Sequence, residues 1–161
     1  MARPDADQEL LPSVLDRLID REPKVSKESQ SYRSGRLTQL KESVKRDLEW
    51  LLNSRRLLVE IPPGLTHLEE SLLTFGLPDF THSSMSSSED QVALRQLVES
   101  AIARFEPRLT QVNVSLVEGK QFDRTLRFRI DGILEVEPTP EAVSFDSVLQ
   151  LLTKTFTLEG E

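Results

Sequence analysis

Few residues in this chain carry the types and spacing that chemistry demands. The two histidines, His67 and His82, lie 15 residues apart, one at an expected helix start and one in a Ser-rich loop. That separation has none of the short His and Cys spacings that build a zinc site. The chain has no cysteine, so thiolate ligands, disulfides and thiol catalysis are excluded, and a reducing compartment is the simplest setting. The patterns GxxxxGK[ST], GxGxxG and GxSxG are absent, which removes the usual phosphate cradles and the nucleophile elbow. Serines are frequent, but a nucleophilic serine needs a base and an orienting group, and neither histidine stands in a segment that suggests one. No metal, cofactor or catalytic residue is therefore assigned.

Carboxylates are too abundant for counting to locate a glycosidase pair, yet one has a distinctive setting. Glu106 stands in Phe105-Glu106-Pro107-Arg108-Leu109, fixed by proline and two residues from Arg108. Such a corner pair either braces the turn or anchors a partner; the second reading makes Glu106, Pro107 and Arg108 candidate partner-binding residues. If the pair is exposed, Arg108→Ala changes the isolated chain's stability by under about 1 kcal/mol. Trp50, Arg55 and Arg56, in RDLEWLLNSRR, form a second candidate set. Arginine at a helix C-terminus is favoured by the dipole, and Arg and Trp are also the types enriched at interface hot spots.

The elements that position these residues follow from periodicity. Val14, Leu15, Leu18 and Ile19 recur at helical spacing within Pro12 to Asp20, too short a stretch to be stable without docking. Residues 21–35, REPKVSKESQSYRSG, are polar with Pro, Gly and Ser and read as a flexible linker. From Arg36 to Asn53, Leu37, Leu40, Val44, Leu48 and Leu51 step by three or four, which predicts an amphipathic helix. A shorter helical turn is expected across Leu65, Leu68, Leu72, Leu73 and Phe75, stopped by Gly76 and Pro78. After the Ser-rich stretch from Thr81, Ser88-Glu89-Asp90-Gln91 reads as a capping box ahead of a helix whose buried face carries Val92, Leu97, Val98, Ala101, Ile102 and Phe105. Pro107 ends it by disfavouring helical backbone at Glu106.

Beyond Pro107 the period falls to two. Val112, Val114 and Leu116 alternate with polar residues, and Leu126, Phe128 and Ile130 alternate with Arg127, Arg129 and Asp131, as in an antiparallel pair with one wet face. Two more strands are expected at Val143 and Phe145 and at Phe156 and Leu158, around a turn near Thr153 and Lys154. The fold class is α+β: helices in the N-terminal part packed on a C-terminal, mainly antiparallel β-sheet. Residues 1–20 read as a docking helix, 21–35 as a linker and 36–161 as one domain, with no internal repeat.

Bulk properties narrow the function class. A formal charge of −7 and a pI near 5.0 oppose general nucleic-acid binding, which depends on clustered Lys and Arg. Neither an export signal nor a run of about 20 apolar residues is present, so a soluble, cytoplasmic chain without membrane insertion is expected.

Five segments in order, LLPSVLDRLIDREP, RDLEWLLNSRR, LLTFGLPDF, FEPRL and VSFDSV, resemble the TssE-like family of type VI secretion baseplate wedge subunits, which is related to a contractile-phage wedge protein. The likeness spans nearly the whole chain, and the family's EPR signature corresponds to Glu106, Pro107 and Arg108. Despite a "lysozyme-like" label, it implies a structural rather than enzymatic role: joining TssF and TssG in the wedge, contacting TssK, and helping the TssB/TssC sheath to start through exposed sheet edges. The alternatives are a muramidase using two carboxylates and an anti-adaptor-like regulatory binding protein.

Overall fold

The computed structural model describes residues 13–19, 33–57, 61–62, 64–69, 71–80, 87–117, 125–137 and 139–159. The expected linker, His82 and most of the Ser-rich stretch lie outside the described residues.

The chain order is α1 (Val14–Leu18), α2 (Arg33–Asn53), α3 (Thr66–Glu69), a 3-10 turn (Leu72–Thr74), α4 (Ser88–Phe105) and strands β1 (Leu109–Val117), β2 (Thr125–Leu134), β3 (Glu141–Gln150) and β4 (Thr155–Glu159). The architecture is α+β, as the change of period predicts. The strands form one antiparallel meander in the order β1-β2-β3-β4, so β1 and β4 are its edges. Its inner face carries Val114, Phe128, Ile130, Phe145, Leu149, Phe156 and Leu158 and packs on Val44, Leu48 and Leu52 of α2 and Leu94, Val98 and Ile102 of α4 in one core. Each fully buried side chain of this size stabilises the fold by roughly 1.5–3 kcal/mol.

Local details depart from expectation in three places. Helix α2 starts at Arg33 rather than Arg36, because Ser34 and Gly35 continue the helix. The cap of α4 is Ser87, one residue before the expected Ser88, and its side chain makes no capping bond; Gln91 N–H bonds the Ser87 carbonyl instead. The core face of α4 uses Leu94 where Val92 was expected, and Val92 is exposed, because the phase is set by Leu94, Val98 and Ala101 at spacings of four and three.

Two kinks place the elements. Between Thr110 and Asn113 the β1–β2 register shifts at a bulge where Gln111 takes φ 51°. Opposite it, Gly132 leaves room: a Cβ there would lie 3.4 Å from the Thr110 carbonyl oxygen. The bulge moves the inner face from Leu109 to Val112, Val114 and Leu116. At Gly76, φ is +98° and a Cβ would approach the Ser54 carbonyl oxygen to 2.5 Å. That close pass lets Leu77 N–H bond the Ser54 carbonyl and Arg56 N–H bond the Leu77 carbonyl, fastening the segment after α3 to the end of α2.

Candidate functional site

The helix-to-strand corner turns inward. Helix α4 ends at Phe105, and Glu106 is its cap at φ −119°, ψ 79°, a non-helical conformation that Pro107 favours. Glu106 is only 4% exposed, the least solvated ionisable group in the core region, and both its oxygens face the guanidinium of Arg108. Nε donates to Oε1 at 2.6 Å and Nη2 to Oε2 at 2.5 Å, while the Arg108 backbone N–H also reaches Oε1 at 3.2 Å. Arg108 further donates to Asp47 Oδ2 at 2.6 Å and to Ser43 Oγ at 3.3 Å on α2. The hydrogen bonds that Arg108 donates to Glu106 raise its pKa above the ordinary value; burial opposes this, and the charges of Glu106 and Asp47 and the bond to Asp47 reinforce it. Exposure, the condition under which truncating the pair is cheap, does not hold for Glu106.

The same constellation reaches the N-terminal helix. Ser43 Oγ donates to Asp16 Oδ2 at 2.7 Å, and Arg46 Nη1 donates to Asp16 Oδ1 at 2.8 Å. Arg46 also holds Asp47 Oδ1 through Nε at 3.1 Å and Nη2 at 2.9 Å. Ser13 caps α1 by accepting from Asp16 N–H and donates its hydroxyl to Asp16 Oδ2 at 2.5 Å. Burial works against the charged Asp16 carboxylate, but bonds from Ser13, Ser43 and Arg46, with the Arg46 charge, outweigh it and hold its pKa down to about 2. Helix α1 is thus attached through the polar contacts of Asp16, while Val14 and Leu18 remain 74% and 76% exposed. An apolar helix face left in water is a feature of surfaces that meet another protein.

Sequence-predicted residues fall into two groups. Trp50, 53% exposed, lies one turn beyond Arg46, whose guanidinium sits 5.1 Å from its ring centroid, so Trp50 joins the corner through Arg46 and Asp47. Arg55 and Arg56 point elsewhere. Arg55 stacks on Phe80 at 4.6 Å and donates to the Lys154 carbonyl at 2.8 Å, where the β3–β4 turn closes. Arg56 lines a small depression of about 100 Å³ with Gly76, Leu97, Ala101, Arg104 and Phe105, well below the roughly 300–1,000 Å³ of small-molecule pockets.

Sequence reasoning did not single out Asp16, Ser43, Arg46, Asp47 or Asn53. Ser43 and Asp47 recur one turn apart beside Val44 and Leu48, so they flank the apolar stripe; that is the available signal, and it does not name their partners. His67 stands exposed on α3, and among the described residues no group of three or more His, Cys, Asp or Glu could hold a metal. No helix among the described residues is long and apolar enough to cross a membrane.

A family model described as baseplate wedge protein gp25 matches residues 38–139, from α2 to the β2–β3 connection. No curated protein matches. A solved structure described as the baseplate complex from the type VI secretion system is similar at 19% identity with a TM-score of 0.48, over 72% of this chain and 98% of that chain.

Proposed function

This chain belongs to the baseplate wedge protein gp25 family, and on that premise we propose that it is a cytoplasmic, non-catalytic subunit of a type VI secretion baseplate. In this reading it joins TssF and TssG in the wedge, neighbours TssK, and offers a sheet edge to the TssB/TssC sheath. The partner-facing surface is exposed Trp50 and Pro107 with partly exposed Arg108, which buried Glu106 holds in place from beneath. The observation that carries the reading is the continuity of polar contacts from α1 through α2 to that corner, bordered by exposed Val14, Leu18 and Trp50. A rigid frame presenting an aromatic and aliphatic residues suits a docking subunit. The domain division follows the same logic, with residues 1–20 as a docking element and 36–161 as the wedge domain.

A muramidase needs a carboxylic acid free to protonate a leaving group and a second carboxylate set across a cleft from it. Both oxygens of Glu106 already face Arg108, which leaves it ill suited to that task.

Co-purification with TssF and TssG tests the proposal. A stoichiometric complex on size exclusion is the expected result, and its loss with Trp50→Ala in a normally folded chain would tie it to the named surface. Release of peptidoglycan fragments that stops with Glu106→Gln would replace this reading with the hydrolase.

A further inference from the structure

A helix as short as α1, Val14–Leu18, does not hold its shape alone in water, because closing the first turn costs more than its few hydrogen bonds return. It is helical only while docked. Apolar burial does little of the docking, since Val14, Leu15, Leu18 and Ile19 are all exposed. Among the described residues, the hydrogen bonds that join α1 to α2 converge on one carboxylate, with Ser43 Oγ on Asp16 Oδ2 at 2.7 Å and Arg46 Nη1 on Asp16 Oδ1 at 2.8 Å. An element with so few buried apolar contacts lies at the low end of local stability, so it opens while the core stays folded. Residues 20–32 tether an opened α1 to α2, which keeps reclosure intramolecular.

Both cations of the corner depend on that carboxylate. Arg46, fastened at Nη1 by Asp16, also holds Asp47 through Nε and Nη2, and this grip sets its guanidinium over the Trp50 ring. Ser43 is buried; its hydroxyl donates its single proton to Asp16 and accepts from Arg108 Nη1 at 3.3 Å. When Asp16 leaves, Arg46 keeps Asp47 but loses an anchor. The Ser43 proton then needs another acceptor, and as the hydroxyl turns, the lone pair that faced Arg108 turns with it.

We infer that α1 is a strap that closes on the corner, with Asp16 as its positioning residue: closure fixes Arg46 against Trp50 and aims Ser43 at Arg108, and a docking partner selects the closed chain. The inference rests on the partner-facing surface of the proposed function and names what regulates it. A partner that touches Trp50 and Arg108 meets a preorganised surface only when the strap is shut, so its apparent affinity falls with the fraction of chains that are closed. Opening and closing of this short segment thereby sets how ready the chain is to dock, with no change in the sheet or in α4.

Two probes on the full chain test this without a partner. The chain has no cysteine, so a spin label on Leu18→Cys, an exposed position, reports α1 alone. Trp50 is the only tryptophan, so its emission reports the corner. The mobile component of the label is expected to grow in urea before the sheet unfolds by circular dichroism, and Asp16→Asn is expected to make it predominant in buffer and to shift Trp50 emission with it. A label that stays immobile until the sheet melts makes α1 a fixed part of the fold and overturns the strap. A mobile label with unchanged Trp50 emission severs Asp16 from the corner and overturns the coupling. With purified TssF and TssG, complex formation is expected to immobilise the label, Asp16→Asn to lower the affinity about tenfold, and Asp16→Glu, which keeps the carboxylate, to restore part of it. Equal affinity for wild type and Asp16→Asn overturns selection of the closed chain. No complex with the wild-type chain removes the proposed function and this regulation with it, and the label and Trp50 readings then decide separately whether α1 closes on the corner.

Discussion

Replacing Arg108 with alanine strands the buried Glu106 carboxylate and removes the partner of Asp47 Oδ2, while Asp47 Oδ1 stays with Arg46. Losing one member of a buried pair costs more than the pair contributes, so a loss of about 3 kcal/mol in the isolated chain is expected from urea denaturation. A change below about 1 kcal/mol would show that water reaches Glu106 and that the corner is no brace. Asp16 makes a pH-dependent prediction. Its folded pKa of about 2 lies below the ordinary 3.8, so its bonds stabilise the chain fully above that ordinary value and are lost as pH falls toward 2. Wild type should therefore be more stable than Asp16→Asn at pH 7, with the gap narrowing between about pH 4 and pH 2. Denaturation midpoints at several pH values check this, and a gap independent of pH would remove the carboxylate's charge from the account. At this scale the sequence was partly legible. Proline and a two-residue spacing make the Glu106–Arg108 pairing readable, but Asp47 and Ser43 approach Arg108 from 61 and 65 positions away, a separation that no local pattern encodes.

Among elements, the end of α2 is the busiest junction. The Asn53 amide makes two bonds to Phe156, and Asn53→Ala leaves both backbone groups at the β4 edge to water or to nothing. A loss of roughly 1–3 kcal/mol is expected, together with faster hydrogen exchange in β4 and unchanged exchange in β1. Uniform acceleration across the sheet would mean that Asn53 stabilises the fold as a whole rather than that edge. Apolar periodicity located α2, α4 and all four strands because each buries one face. It missed the bulge at Gln111, since a single extra residue reverses which parity faces the core without altering composition. It also misplaced the α4 cap, because adjacent serines offer equivalent signals and the geometry uses neither side chain for the purpose. The brevity of α1, Val14–Leu18, agrees with a segment too short to stand alone, and what holds it is Asp16 rather than its leucines.

For the whole molecule, the attachment of α1 is mainly polar, so removing residues 1–32 should leave the remaining domain folded, with a melting temperature lowered by less than about 10 °C, while wedge assembly weakens. A larger drop by calorimetry would place the N-terminal segment in the core. The meander means that each strand pairs with its neighbour in sequence, so the sheet can grow one hairpin at a time. The layer beneath it has no such convenience. Helix α2 closes on β4 through Asn53 and Phe156, which are 103 positions apart. A ribosome making this chain at about 5–20 residues per second releases α2 several seconds before its last strand emerges. Throughout that interval Val44, Leu48 and Leu52 have no β4 to cover them. The nascent chain therefore carries an open greasy stripe for most of its synthesis, and a holdase chaperone would be most valuable in that window.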